Sequence, residues 1–250
     1  MRYLIKFSYD GTNYSGYQRQ KGLITIQECL EDALTGINNG NKVIVHSTGR
    51  TDKKVHALCQ YIHCDLNVKI TEHKLKRAMN SNLPDDIHVI DVQVVDDKFH
   101  ARYYVKSKEY HYLLNMGEYD PINRNHIYQY NHELNLEKMK EAIKYFKGKH
   151  DFRSFVTENK DKENCVRTIT KANITKSGNI LTFSFKGDGF LRYQVRNMVG
   201  VLIKVGEEKI TPQDVERILN KKTRDKEGVT AKAEGLYLVD VKFKKNIKIS

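Results

Sequence analysis

Apolar and polar side chains alternate over residues 2–9, where Tyr3, Ile5 and Phe7 fall on one face. A period of two predicts a strand. The period then lengthens. Thr25-Ile26-Gln27-Glu28 is a capping box, and Ile26, Cys29, Leu30, Ala33, Leu34 and Ile37 follow at helical spacing, so a helix with one buried face is expected. Alternation returns in Val43 and Val45, and again in Val55, Ala57, Cys59 and Tyr61, which predicts two strands joined by a short connection. A second helix is expected from Thr71 to about Ser81, broken by Asn82-Leu83-Pro84-Asp85-Asp86, and a strand over Ile87–Val95. Strand, helix, strand, strand, helix, strand is the split β-α-β order of a ferredoxin-like unit.

Phe99-His100-Ala101-Arg102 begins the crossing to the second half. Ser107–Asn115 is expected as a strand with Tyr110 and Tyr112 on one face. Residues 123–131 are polar and loop-like, and Asn135–Lys147 has helical spacing in Leu136, Met139, Ala142, Ile143 and Phe146. Gly148 to Phe155 is expected as an aromatic, basic turn, and Lys160 to Glu163 as a solvated segment. Strands near Val166–Thr175 and Ile180–Lys186 form a hairpin around Lys176-Ser177-Gly178-Asn179. The longest helix is predicted from Phe190 to about Val205, with Arg192 and Arg196 four apart on one face. Thr211-Pro212-Gln213-Asp214 opens another helix, and Leu236–Phe243 is a final strand. The expected class is α+β. Two ferredoxin-like (RRM-like) halves, residues 1–104 and 105–250, would bring antiparallel sheets together around a central basic cleft.

With 250 residues, 39 % of them hydrophobic, the chain can bury a sizeable core. No apolar run approaches the roughly 18 residues needed to span a bilayer, so no membrane partner is expected. The first residues, Met1-Arg2-Tyr3-Leu4-Ile5-Lys6, enter a charged strand pattern without a secretory signal. Cys29, Cys59, Cys64 and Cys165 lack Cys-x-x-Cys spacing and read as reduced thiols. A cytoplasmic protein is expected. Lys and Arg outnumber Asp and Glu by 43 to 31, a net charge of +12, which points to a polyanionic partner such as nucleic acid. Fifteen Tyr and nine Phe add faces on which bases can stack.

The candidate chemistry lies in Thr48-Gly49-Arg50-Thr51-Asp52-Lys53-Lys54-Val55-His56-Ala57, between the two expected strands. Asp52 is flanked by Arg50, Lys53 and Lys54, and nearby cations favour its ionised form. An ionised carboxylate with no second catalytic carboxylate beside it suits a nucleophile better than a general acid. The same residues also fit an ordinary turn in which Asp bonds local amides. The earlier loop, Asp10 to Gln20, carries two glycines, Tyr14, Tyr17 and Arg19, and reads either as a phosphate-and-base cradle or as a plain surface loop. His56, Cys59, His63 and Cys64 cluster in sequence, but on a strand Cys59 and His63 lie about 13 Å apart at roughly 3.3 Å per residue. Zinc ligands must converge at about 2.0–2.3 Å, so no metal site is expected.

Several widely spaced segments resemble the tRNA pseudouridine synthase A (TruA) family. They are Tyr9-Asp10-Gly11-Thr12 with Gly16 and Gln18; Gly49-Arg50-Thr51-Asp52 with Val55-His56-Ala57; Phe99-His100-Ala101-Arg102 with Tyr110 and Tyr112; and Phe190-Leu191 with Val195-Arg196-Asn197-Met198-Val199-Gly200. His150-Asp151-Phe152, Arg167-Thr168-Ile169 and Glu234-Gly235-Leu236-Tyr237-Leu238 also fit, so the resemblance spans nearly the whole chain. It implies isomerisation of uridine to pseudouridine at positions 38, 39 or 40 of the tRNA anticodon stem-loop, by a homodimer and without a metal or redox cofactor. It implies Asp52 as the attacking aspartate, Tyr110 as the tyrosine that stacks on the flipped base, and Arg196 as the arginine that pairs with the aspartate. Arg50 would take the extruded base's place, and Leu236 would line the pocket. Arg19, Lys53, Lys54, Arg102, Lys106, Lys108 and Arg192 are candidate phosphate contacts.

The chain departs from the family pattern at three places. The family usually has Asp-Ala-Gly-Val-His where this chain has Asp52-Lys53-Lys54-Val55-His56; Tyr17 stands where Trp is common; and Lys232 stands where Pro is common. If the family glycine has positive φ, Lys54 there costs roughly 1 kcal/mol or more. These changes keep open a synthase with another RNA target, while a non-catalytic tRNA-binding relative is the competing class.

Overall fold

A computed structural model describes residues 1–156, 164–223 and 229–244; the expected solvated segment from Lys160 to Glu163 lies outside them. The chain is a mixed α/β protein with five α-helices among the described residues, and it divides into two compact units. The first is Met1–Lys106, joined by the chain from Leu238; the second is Ser107–Tyr237.

The first unit runs β1 (Arg2–Tyr9), α1 (Ile26–Ile37), β2 (His46–Ser47), β3 (His56–Asp65), α2 (Glu72–Asn82) and β4 (Ile87–Val95). The order across its sheet is β4-β1-β3, with β2 also on β3, and all of these pairs are antiparallel. The expected face of β1 is the buried one, since Tyr3, Ile5 and Phe7 are fully covered, as are Leu30 and Leu34 of α1 and Leu75 and Met79 of α2. Each such side chain contributes about 1.5–3 kcal/mol on burial. Leu4 and Val95 pack instead with Phe99 and Ala101, and with Tyr61, Tyr104 and Phe243. Thr25 caps α1 as its sequence predicts, its hydroxyl accepting from the Glu28 amide. Between the two runs around Asp52 the structure is less regular than expected. Val43 and Val45 are buried, but only His46 and Ser47 pair as strand.

The second unit follows with β5 (Val105–Asn115), β6 (Tyr128–Gln129), α3 (Leu136–Ala142), β7 (Gly148–Asp151), β8 (Val166–Ser177), β9 (Ile180–Gly187), α4 (Gln194–Gly206), α5 (Pro212–Lys221) and β10 (Leu236–Phe243). Its sheet has the order β5-β9-β8-β7. The chain passes from the second unit to the first within β10, whose residues from Leu238 lie against β3. Tyr110 and Tyr112 face Phe185 and Phe183 across the β5–β9 pair.

Four expectations need correction here. Residues 123–131 are not wholly loop, because Tyr128 and Gln129 pair in parallel with Leu114 and Asn115. The stretch 148–155 is not a turn. It pairs as β7 along β8 and then makes a 3-10 turn over Arg153–Phe155. The helix expected through Lys147 stops its α-geometry at Ala142 and tightens to a 3-10 helix over Ile143–Phe146. The long helix starts at Gln194 rather than Phe190, since Tyr193 has left-handed backbone, so Arg192 lies before the helix and not on its face.

Candidate active site

Asp52 sits half-buried on the loop between β2 and β3, with Arg50, Lys53 and Lys54 beside it and exposed. Both limbs of the loop are fixed by hydrogen bonds. On the incoming side the Thr48 amide donates to the Tyr61 carbonyl at 3.0 Å, and the buried Gln60 donates from Nε2 to the Gly49 carbonyl at 2.9 Å. At the tip, the Tyr9 hydroxyl lies 2.7 Å from Thr51 Oγ1, and the Tyr17 amide donates to the Thr51 carbonyl at 3.1 Å. On the outgoing side the Val55 amide donates to the Asp52 carbonyl at 3.2 Å. The Gly11 amide and the Asp10 carboxylate both meet Nδ1 of buried His56, at 3.1 and 3.0 Å. A carboxylate on such a frame is presented in one place.

The loop from Asp10 to Gln20 turns out to be part of that frame. Tyr14 and Tyr17 are buried rather than open for stacking. Gly16, at φ +99°, brings its Cα against the Asp52 loop, where an added Cβ would stand 3.2 Å from both the Lys53 nitrogen and the Thr51 oxygen. Arg19 is exposed but engaged by α1: its guanidinium lies 3.3, 3.0 and 3.5 Å from carboxylates of Glu28, Glu31 and Asp32. An arginine so engaged is a poor phosphate contact. Arg102 is exposed, its amide donating to His100 Nδ1 at 3.2 Å.

The second unit supplies the remaining candidates. Tyr110 is buried on β5, with the Phe190 ring 5.1 Å away at 80°. Its neighbour on the same face, Tyr112, is held by burial well above the ordinary tyrosine pKa and donates to the Lys232 carbonyl at 2.8 Å. Arg196, on the first turn of α4, donates from Nε to the Ala231 carbonyl at 2.7 Å. Leu236 is buried at the start of β10, directly after the 3-10 turn Ala233–Gly235.

With this geometry in view, likeness to known proteins becomes informative. The family described as tRNA pseudouridine synthase matches residues 5–104 and 142–244 of the chain. This chain belongs to the tRNA pseudouridine synthase family. It is 42 % identical over 245 residues to the tRNA pseudouridine synthase A of Streptococcus pneumoniae serotype 19F (strain G54), across 97 % of this chain and 98 % of that one. The corresponding protein of S. pneumoniae strain Hungary19A-6 is 41 % identical over the same shares. Among solved structures, a chain of a Cbf5-Nop10-Gar1 complex aligns over 80 % of this chain and 54 % of its own at 13 % identity and a TM-score of 0.33, a likeness too loose to argue from. As a tRNA pseudouridine synthase the protein is an isomerase acting on tRNA. Among the described residues no helix is long and apolar enough to cross a membrane.

Two departures from the synthase pattern can now be placed. Lys54 has φ +65° and so holds an L side chain in the left-handed region that favours glycine. Lys232 has φ −59°, a value proline also adopts, so the backbone keeps its course without the ring. Its ammonium instead lies 5.2 Å from the centroid of the Tyr128 ring. The synthase's frame residues Gln60, Tyr9 and Gly16 were not singled out for that role from the sequence. Gly16 carried the one usable signal, as one of two glycines in the 10–20 loop.

Proposed function

We propose that this synthase converts uridine to pseudouridine at positions 38, 39 or 40 of the tRNA anticodon stem-loop, with Asp52 as the nucleophile. The observation that carries the assignment is the framing of the Asp52 loop: hydrogen bonds from β1, β3 and the 10–20 loop fix the backbone around a half-buried carboxylate. Structural turns do not require that many independent supports, whereas a group that must meet a reacting carbon does.

The reaction breaks the C1′–N1 bond, turns the base and forms a C1′–C5 bond. C5 gives up its hydrogen to solvent and N1 takes a proton, so substrate and product are isomers and the balance needs no oxidant, reductant or co-reactant. Asp52 bonds covalently to the nucleotide while the base is rearranged, and that bond breaks again before product leaves, so the carboxylate is returned unchanged. Tyr110 offers its face to the flipped uracil, the usual arrangement when chemistry must reach a base held in a helix. Arg196 orients and keeps ionised the aspartate, as a guanidinium fork does for a carboxylate. Arg50, exposed two residues before Asp52, fills the place the base leaves, and Leu236 gives the site an apolar wall. Lys53, Lys54 and Arg102 contact phosphates. The strand order β4-β1-β3 with β2 on β3 supports a ferredoxin-like first half over residues 1–104, to which the chain returns from Leu238. A homodimer and a cytoplasmic location complete the assignment.

The test is incubation with unmodified tRNA tritiated at uridine C5, with counting of released tritium and mapping of the modified positions. Release confined to 38–40, abolished in Asp52→Asn with tRNA binding kept, is the expected result. Release at other positions rejects the anticodon target, and undiminished release from Asp52→Asn rejects the nucleophile.

A further inference from the structure

The turn that leads into α4 holds an unfavourable backbone. Tyr193 has φ +62° and ψ −2°, a conformation that a bulky L residue adopts only when its surroundings over-determine it. Those surroundings are on both sides. Fully buried Gln194 accepts at Oε1 from the Leu191 amide at 2.8 Å and donates its own amide to the Leu191 carbonyl at 3.1 Å. The first bond of the helix runs from the Asn197 amide to the Tyr193 carbonyl at 2.9 Å.

The strained turn places an aromatic ring beside two cations. Cζ of Arg192 stands 4.9 Å, and Cζ of Arg196 5.4 Å, from the centroid of the Tyr193 ring. Arg192 also donates to the Tyr193 hydroxyl at 3.2 Å. A guanidinium at such a distance is attracted to the ring face.

Arg196 is gripped elsewhere by backbone. Its Nε donates to the Ala231 carbonyl at 2.7 Å, and the Ala231 amide donates to the Arg196 carbonyl at 3.1 Å. The neighbouring residues extend this two-bond clasp. The Thr230 hydroxyl donates to Asn197 Oδ1 at 2.7 Å, and Asn197 Nδ2 donates to the Phe155 carbonyl at 2.7 Å. One turn on, Gly200 lets Val229 lie against the helix, where a Cβ would meet the Val229 oxygen at 1.7 Å. With Nε committed to Ala231, the chemistry of Arg196 toward a carboxylate falls to its Nη groups, and their direction depends on how the guanidinium plane is turned.

We infer that Tyr193 is a positioning residue for the isomerisation: its ring, held out by the strained turn, fixes the guanidinium plane of Arg196 against the Ala231 carbonyl. The inference rests on the role proposed for Arg196, and it concerns a residue that touches Arg196 rather than the substrate.

Tritium release and tRNA binding by the full-length protein test it with four variants. Tyr193→Ala is expected to lower kcat ten- to a hundredfold while the Kd for tRNA changes less than threefold. Tyr193→Phe keeps the ring and is expected to restore kcat to within threefold of the parent. Tyr193→Gly suits the positive φ and removes the ring, so the same fall in kcat with a raised Tm excludes unfolding as its cause. Full kcat in Tyr193→Ala, or a loss in Tyr193→Phe as large as in Tyr193→Ala, overturns the inference. Arg196→Lys separates the two levels: full turnover there removes the role of Arg196 and the inference with it, whereas loss of turnover in Arg196→Lys beside full activity in Tyr193→Ala removes the inference alone.

Discussion

Gln60 reaches across from β3 to Gly49, its Nε2 donating to the Gly49 carbonyl at 2.9 Å three residues before Asp52. The other end of the same amide accepts from the Thr48 hydroxyl and from the Tyr61 amide at 3.1 Å. One buried side chain thereby ties the incoming limb of the Asp52 loop to the strand that leaves it.

Gln60→Leu keeps the volume and removes these bonds. Leaving buried partners unsatisfied costs about 1–3 kcal/mol, so the urea midpoint is expected to fall. The loop loses its tether as well, so kcat is expected to fall more than the affinity for tRNA. Chemical denaturation and single-turnover tritium release check the two effects separately.

Gly16→Ala tests the support from the other side. At φ +99° alanine is strained, and its Cβ would press within 3.2 Å of the Lys53 nitrogen and the Thr51 oxygen. The relief available is a shift of the Asp52 loop. Displacements of about an ångström at a reacting group cost on the order of a hundredfold in rate, so a tenfold to hundredfold loss of kcat is expected with the circular dichroism spectrum unchanged. Parental turnover in this variant would show that the loop tolerates the intrusion.

Lys54→Gly should make the protein more stable by about 1 kcal/mol, since glycine adopts φ +65° without the penalty that an L side chain carries there. It should also weaken tRNA binding and lower the slope of log affinity against log salt by about 1, the mark of one lost phosphate contact. Lys54→Ala separates the two, because it removes the charge and keeps the strain. Filter binding at several salt concentrations and a urea titration measure both.

His63 predicts a loss of stability in acid. Its imidazole is pushed down to about 4, chiefly by burial and then by the neighbouring His100 and His46, with Arg2 adding and Asp65 opposing. The ring stacks on His46 at 4.9 Å and meets His100 edge-on at 4.7 Å, and Nδ1 of His63 accepts from the Ala101 amide at 3.1 Å. The unfolded chain takes up a proton near pH 6.5 that the folded chain refuses until about pH 4. The stability from this group is therefore complete above about 6.5 and falls as the pH drops toward 4, by up to about 3 kcal/mol. Urea midpoints across that window should fall less steeply in His63→Gln, which does not titrate.

The strands were legible because their pattern and their burial agree: β1 and β10 begin and end where alternation does, and β4 matches residue for residue. β7 was missed because Gly148-Lys149-His150-Asp151 is polar throughout and lacks the apolar alternation that marks a strand, although it pairs with β8, the next strand of the chain. The start of α4 was misplaced because Phe190 and Leu191 continue the apolar spacing of the helix, while the feature that delays it, a left-handed tyrosine, leaves no mark in composition. In the candidate site, Asp52 was visible from its charged neighbours and its glycine-bearing loop. Gln60 and Tyr9 were not, since Gln60 holds the Gly49 carbonyl and Tyr9 the Thr51 hydroxyl, partners 11 and 42 residues away in the chain. The ion pairs of Arg19 were not legible either, because a cation in a loop looks the same in sequence whether or not carboxylates of a neighbouring helix lie beside it.

The passage of the chain back into the first unit within β10 has a consequence for biosynthesis. A ribosome that has made residues 1–237 has released every segment of the first unit except the strand from Leu238 that lies against β3. Until that strand emerges, β3 offers part of its edge to any extended peptide in reach, and the Asp52 loop stands at the head of an unfinished sheet. The unit translated first is therefore closed only once the chain has been made past Leu238.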